Sequence, residues 1–274
     1  MPRARRPVSA RTALCGILLH PAGHTRSPAM HGAAYAALDF DAVYLAFDVP
    51  PAGLADAMRG ARALGVRQLA ISLPHKQAVM AHVDEVEETA RRIGAVNTVT
   101  RAGDALVGSN TDWLGAVRAL ESELPLRGAR AVVLGAGGTA RAVVFGLLER
   151  GARVRVLNRS PERARRLADD LGAETAGALG ELASAPYDVL VNTTSVGLRE
   201  DASPVDAGAL RAGAVVMDAV YDPERTRLLR EAEARGARPV SGRWMLIHQA
   251  AEQVKLLTGR EAPLGALVEG FESG

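Results

Sequence analysis

The 274-residue sequence predicts two α/β domains, the second built on a doubly wound parallel sheet. Three observations carry this. The first is Val132-Val133-Leu134-Gly135-Ala136-Gly137-Gly138-Thr139-Ala140, where a β-branched run breaks into glycines and enters the helical-looking stretch 141–150. This is the G-x-G-x-x-A fingerprint with a strand before it and a helix after it. Its glycines let backbone approach a pyrophosphate, and the helix N-terminus turns free N–H groups and a positive dipole end toward it. The second is the alternation of short apolar runs with helix-like segments along both halves of the chain. The third is Pro125-Leu126-Arg127-Gly128, a turn-rich break just ahead of the fingerprint.

Taken in order, residues 13–19 read as a strand. Ser27-Pro28 opens a helix through Leu38, with Ser27 as N-cap and Pro28 at the first helical position. A strand follows at 43–49, a helix at 53–64 and a strand at 68–73, then a helical segment from 76 to 93. Two strands, 96–101 and 105–108, turn at Ala102-Gly103 and lead to a helix at 112–123. Beyond the break come strand 130–135, helix 138–150, strand 153–158, helix 161–171 and strands 188–192 and 214–219. Helix 223–235 and a short strand at 238–240 close the series. This βαβ alternation is that of a Rossmann-type parallel sheet with helices on both faces. The expected division is 12–125 and 126–242, with the helical tail 243–274 packing back to complete the first domain.

Where the second strand of the Rossmann unit ends, NAD-binding sheets commonly place an acid for the ribose 2′-hydroxyl. Here the chain reads Asn158-Arg159-Ser160, with Arg163 one turn on. The planar fork of Arg matches phosphate oxygens two at a time, which suits the 2′-phosphate of NADP. Glu162 is the one acid in this stretch, and helix geometry allows it to face solvent.

Composition narrows the class. A net charge of +2 and one cysteine, Cys15, leave no internal disulfide and no thiolate metal cluster, and the six histidines form no HExxH pattern. No metal is expected. Four arginines fall within Met1–Arg11, in a stretch that lacks aromatics and reads as a disordered tail rather than a nucleic-acid arm. No apolar run is long enough to span a membrane. A cytoplasmic enzyme acting on a small molecule, with no nucleic-acid or membrane partner, as a monomer or homodimer, fits these features.

Of 33 basic residues only Lys76 and Lys255 are lysine. Positive surface charge in this chain is written as Arg, so a retained Lys points to ammonium chemistry: Lys can give up a proton and Arg does not. Lys76 follows Ser72-Leu73-Pro74-His75, one of four polar groups at strand ends of the first domain. The others are Thr25 with Ser27, Asn97-Thr98, and Asn110-Thr111-Asp112. Each has an ordinary role alone: Ser27 and Asp112 as helix caps, Asn97 as a turn residue, Lys76 as a solvated side chain. Converging at the carboxyl ends of neighbouring strands, they suit a polyhydroxylated acid.

The ordered set His24-Thr25-Arg26-Ser27-Pro28 with His31, Ser72-Leu73-Pro74-His75-Lys76, Gly94-Ala95-Val96-Asn97-Thr98, Asn110-Thr111-Asp112 and Gly135-Ala136-Gly137-Gly138 resembles the signatures of shikimate dehydrogenases. Asn158-Arg159-Ser160, Asn192-Thr193-Thr194-Ser195, Tyr221-Asp222-Pro223 and 242–249 continue it over nearly the whole chain. The resemblance implies NADP(H)-linked, reversible reduction of 3-dehydroshikimate to shikimate, on the route to chorismate and the aromatic amino acids. It implies Lys76 and Asp112 as the catalytic pair, and Thr25, Ser27, Ser72, Asn97, Tyr221 and Gln249 as further substrate contacts. On the cofactor side it implies Gly135, Ala136, Gly137, Gly138, Thr139, Ala140, Asn158, Arg159, Ser160, Arg163, Thr193, Thr194, Ser195, Val220 and Gly242. Three positions depart from the family pattern: Thr25 where serine is usual, Ala70 where Asn is common, and Ser72 where Thr is usual. They bear on substrate preference and leave open a quinate/shikimate dehydrogenase with relaxed substrate or NAD use. A non-catalytic dinucleotide-binding regulator has no reason to retain Lys76 and Asp112 together.

Overall fold

The structure is a computed structural model that describes residues 7–23 and 25–274. Met1–Arg6 of the arginine-rich tail, and His24 of the first polar motif, lie outside the described residues. In chain order the first elements are β1 (Ala13–Leu19), α1 (Ser27–Ala37), β2 (Ala42–Asp48), α2 (Leu54–Ala63), β3 (Gln68–Ile71), β4 (Glu85–Val86), α3 (Glu88–Ile93), β5 (Thr98–Ala102) and β6 (Ala105–Ser109). Then come α4 (Asp112–Glu121), β7 (Arg130–Leu134), α5 (Gly138–Glu149), β8 (Arg153–Asn158), α6 (Pro161–Leu171), β9 (Thr175–Ala178) and β10 (Val189–Asn192). The chain ends with β11 (Val215–Asp218), α7 (Arg227–Ala234), β12 (Arg238–Val240), α8 (Gly242–Thr258) and α9 (Leu264–Ser273).

The chain divides into two units, Met1–Thr111 with Ile247–Gly274, and Asp112–Leu246. In the first, six strands are ordered β2-β1-β3-β5-β6-β4. β1 runs parallel to β2 and β3, while β5 is antiparallel to both β3 and β6. The ends of β1, β3 and β6 and the start of β5 therefore lie along one side of the sheet. The core on one face gathers Leu18, Leu54, Met58, Leu69, Ile71, Val79, Val96 and Val99. On α9, a Cβ at Gly270 would stand 2.6 Å from the Met30 Cα of α1, so the final helix seats backbone to backbone on the first one.

In the second unit the order is β12-β11-β10-β7-β8-β9, with every pairing parallel. β7 through β9 wind one way and β10 through β12 the other, so the reversal falls between β7 and β10, where open α/β sheets take their ligands. Two apolar layers cover the faces. One holds Val133, Val144, Leu147 and Val156, the other Leu134, Leu157, Leu190 and Leu228.

The structure departs from the sequence expectations in four places. Residues 76–93 are not one helix. A 3-10 turn (Ala78–His82) gives way to β4 and then α3, because the backbone of Asp84 and Glu87 pairs with Leu106 and Gly108 of β6 and the Asp84 carboxylate accepts from Leu106 N–H at 2.6 Å. Ser27 is the first residue of α1 and not its cap, which is Arg26. β9 is not expected from its sequence, Thr-Ala-Gly-Ala, which lacks the β-branched pattern; pairing with β8 forms it. Finally, α4 belongs to the second unit and not to the first, since it packs on α5, where Gly146 admits Val117 and the Trp113 backbone.

Candidate active site

In the first unit, polar groups collect at the strand ends. Beyond β3, Ser72 N–H donates to Leu18 O and His75 N–H to Ser72 O, both at 2.9 Å, which ties this turn to the end of β1. His75 is buried, with Nε2 2.7 Å from the Val49 carbonyl. The next residue, Lys76, accepts at its carbonyl from Val96 N–H at 2.8 Å, which ties its backbone to the residue before Asn97.

Asn97 is the hub. Its N–H donates to Ser109 O at 3.1 Å and its carbonyl accepts from Ile71 N–H at 2.7 Å, so it bridges β3 and β6. Its side-chain Oδ1 accepts from Thr111 N–H and from Thr98 Oγ1, each at 2.8 Å, and Nδ2 donates to Thr111 Oγ1 at 2.9 Å and to Gln249 Oε1 at 3.3 Å. Gln253, one turn further along α8, donates to Thr98 Oγ1 at 2.9 Å. Asn97, Thr98, Thr111, Gln249 and Gln253 are all buried. A satisfied network of this kind in a low-dielectric interior holds each group in one orientation. Asp112, next in the chain after Thr111, is buried and opens α4.

Thr25 and Ser27 stand at the start of α1, with Thr25 Oγ1 donating to Ser27 Oγ at 3.1 Å and accepting from Ser27 N–H at 3.3 Å. Two adjoining hydroxyls at the positive end of an 11-residue helix suit a carboxylate. His31 of the same motif is a core residue. Its ring stacks on Tyr44 with centroids 4.1 Å apart, and burial pushes its pKa down to about 3. Ala70 is buried in β3, on the opposite face from Leu69 and Ile71.

In the second unit the cradle is backbone. Gly135 has φ +116°, and a Cβ there would stand 2.5 Å from Thr193 Oγ1, which itself donates to Leu134 O at 2.6 Å. A Cβ on Gly137, the cap of α5, would meet open space, and no side chain caps that helix. The room and the N–H groups a pyrophosphate needs are both present. Gly242 is pressed against the carbonyls of Asp218, Ala219 and Val220, each within 2.7 Å of where its Cβ would be. Among the described residues, Arg159 and Arg163 are exposed and in no ion pair, whereas Arg155 pairs with Glu181 and Arg141 with Asp170. Glu162 is exposed, as helix geometry allows. It turns back so that Ser160 Oγ donates to it at 3.0 Å, and its own N–H and Ser160 hold its carboxyl below the usual range. Ser160's hydroxyl is thereby committed. Asn158 Nδ2 donates to Ser160 O at 3.1 Å, which shapes the turn that carries Arg159.

Thus Asn97 and Gln249 meet directly, Lys76 is tied by its backbone to the residue before Asn97, Thr25 and Ser27 meet each other, and Ser72 lies at the end of β3. Tyr221 lies in the second unit with Val220, beyond β11. Sequence reasoning does not single out Gln253 or Asp218, and reads Asn192 only as the head of the Asn192-Thr193-Thr194-Ser195 motif with no role of its own. The i, i+4 spacing of Gln249 and Gln253 on one helix is a usable signal for the first.

A doubly wound sheet with a glycine cradle, carried in one chain with a mixed-sheet unit built around a buried amide–hydroxyl cluster, defines a two-unit dinucleotide-binding α/β protein. Residues 17–99 match the shikimate dehydrogenase substrate binding domain, 118–198 match shikimate / quinate 5-dehydrogenase, and 242–268 match the shikimate 5'-dehydrogenase C-terminal domain. The shikimate dehydrogenase (NADP(+)) of Thermococcus kodakarensis is 46% identical over 96% of this chain and 98% of its own. The crystal structure of the Thermus thermophilus shikimate 5-dehydrogenase with NADP(H) and shikimate superposes with a TM-score of 0.89 at 39% identity, covering 96% of this chain and 99% of that one. A quinate dehydrogenase from Corynebacterium glutamicum in complex with NAD gives a TM-score of 0.86 at 34% identity, over 96% and 99% of the two chains. The chain belongs to the shikimate dehydrogenase family.

Proposed function

We propose that this protein catalyses the reversible NADPH-dependent reduction of 3-dehydroshikimate to shikimate, in the cytoplasm, on the route to chorismate. The observation that supports this best is the backbone bond that ties Lys76, one of two lysines in an arginine-rich chain, to Val96, the residue before the buried Asn97 hub. Such a hub holds Thr111 and Gln249 in fixed orientations, as a site for ring hydroxyls requires. In this reading Thr25 and Ser27 hold the substrate carboxylate, and Ser72, Asn97, Tyr221 and Gln249 orient the ring. Lys76 with Asp112 donates the proton that the developing alkoxide requires and stabilises its charge.

NADPH would supply the hydride when bound, and NADP+ would accept it in the reverse direction. The residues that would hold it are Gly135–Ala140 at the pyrophosphate and Asn158, Arg159, Ser160 and Arg163 at the 2′-phosphate. Thr193, Thr194, Ser195, Val220 and Gly242 serve the rest of the dinucleotide. Ser160 serves through its backbone, because its hydroxyl is engaged by Glu162.

A second reading, oxidation of quinate with NAD, draws on Thr25, Ala70 and Ser72. The deciding assay crosses shikimate or quinate with NADP+ or NAD+ and follows reduced cofactor. The highest kcat/KM is expected for shikimate with NADP+. Equal or better efficiency on quinate promotes the second reading, and no turnover on either acid ends both.

A further inference from the structure

At the carboxyl ends of β10 and β11 a carboxylate and an amide stand side by side. Asn192 and Asp218 occupy matching register positions of the two parallel strands, and both are fully buried. Asp218 Oδ1 accepts from Asn192 Nδ2 at 2.9 Å and from Val220 N–H at 3.0 Å, and Oδ2 accepts from Thr226 Oγ1 at 2.7 Å. Asn192 Nδ2 also donates to Val196 O at 3.3 Å, while its Oδ1 accepts from Thr194 N–H at 3.0 Å and Thr194 Oγ1 at 2.8 Å. One latch therefore fixes two loops, the one that follows β10 and the one that follows β11.

We infer that Asp218, acting with Asn192, is a positioning residue for the nicotinamide half of the dinucleotide; the inference rests on the cofactor reading above. Strand order supplies the half. The glycine cradle follows β7, and Arg159 follows β8 on one side of it. A dinucleotide with its pyrophosphate over β7 and its adenosine toward β8 lays its other half across the ends of β10 and β11. The loop there begins Thr193-Thr194-Ser195, small and uncharged, as a ribose and a carboxamide require. Asp218 makes no contribution to the surface itself. Burying a carboxylate is costly unless hydrogen bonds compensate it. Of its three partners, Val220 lies in the loop after β11, Asn192 ends β10 and is itself bonded to Thr194 and Val196 of the loop that follows, and Thr226 caps α7. Removing the carboxylate frees Val220 and the Asn192 amide to move, which loosens the loops and leaves the adenosine side untouched.

The test compares two ligands by calorimetric titration: NADP+ and adenosine 2′,5′-bisphosphate, which lacks both the nicotinamide and its ribose. In Asp218→Ala the Kd for NADP+ is expected to rise about tenfold, while that for the fragment stays within about twofold. Asp218→Asn keeps an Oδ1 acceptor and gives Thr226 a donor, so its Kd for NADP+ stays within about threefold of wild type. Should Asp218→Ala not fold, Asn192→Ala cuts the latch from its neutral side and carries the same comparison. Equal losses on both ligands, or none on either, overturn the inference while wild-type NADP+ binding keeps the cofactor reading intact. A wild type that binds neither ligand overturns both.

Discussion

The first unit makes its site from side chains and the second makes its site from backbone. Asn97 and Thr111, at the two ends of the β5–β6 hairpin, and the distant Gln249 are locked to one another by hydrogen bonds of 2.8–3.4 Å. Gly135, Gly137 and Gly242 contribute by what they lack: a Cβ would strike a neighbour at the first and third, and stand in open space at the second. The contrast separates two kinds of vulnerability. A side-chain site fails when one functional group is removed. A backbone site fails when one methyl is added.

The largest effect expected is on the side-chain site. Lys76→Ala should lower kcat roughly a hundred- to ten-thousand-fold, the range for loss of a positioned proton donor, with NADP+ affinity retained. Lys76→Arg should not restore the rate, because the guanidinium keeps its proton. Steady-state turnover read beside NADP+ titration checks this, and a near-normal rate in either variant removes Lys76 from proton transfer.

Next in size is the charged rim of the backbone site. Arg159→Ala should raise the KM for NADP+ roughly ten- to a hundred-fold, the order of one charge-assisted hydrogen bond to phosphate. The KM for NAD+ should be nearly unchanged. Equal losses on the two cofactors place Arg159 elsewhere.

The smallest effect concerns stability. Burial pushes the Asp218 carboxyl up to about 6 from an ordinary value of 3.8. A group whose folded pKa is raised binds its proton more tightly when folded. Its stabilising contribution is therefore complete below pH 3.8 and is lost as pH rises through about 6. Asp188 runs the other way. Arg130 holds it down to about 2, so its contribution is present above pH 3.8 and is lost as pH falls toward 2. Between about pH 4 and 7 the urea midpoint of the wild type should fall relative to that of Asp218→Asn. Parallel midpoints across that window contradict the assignment.

The same contrast decides what can be read in advance. The glycine cradle, the α5 helix and the Asn158-Arg159-Ser160 turn are local, so spacing alone marks them. The polar fragments of the first unit are visible singly, and their convergence follows from strand ends. The direction of β5, antiparallel to its neighbours β3 and β6, does not spoil it, because reversing β5 brings its start, just after Asn97, to the same side. What sequence does not carry is tertiary. Asp84 breaks the expected 76–93 helix by bonding β6. Glu162 turns onto Ser160. Asn192 and Asp218 read as ordinary strand-end polar residues until strand register sets them side by side.

The central claim is that the Thr25–Ser27 hydroxyls and the Gly135 cradle are separate constructions, each breakable alone. Its most direct test is one matrix of binding titrations: shikimate and NADP+, each against Ser27→Ala and Gly135→Ala. Ser27→Ala removes a hydroxyl that adjoins Thr25, and should weaken shikimate about tenfold, with NADP+ within about twofold. Gly135→Ala forces a Cβ into contact with Thr193 at φ +116°. Overpacking of roughly 1–3 kcal/mol should weaken NADP+ by about tenfold or more and leave shikimate within about twofold. Losses confined to the matching ligand in each variant are the predicted result; a variant that loses both ligands alike contradicts the account.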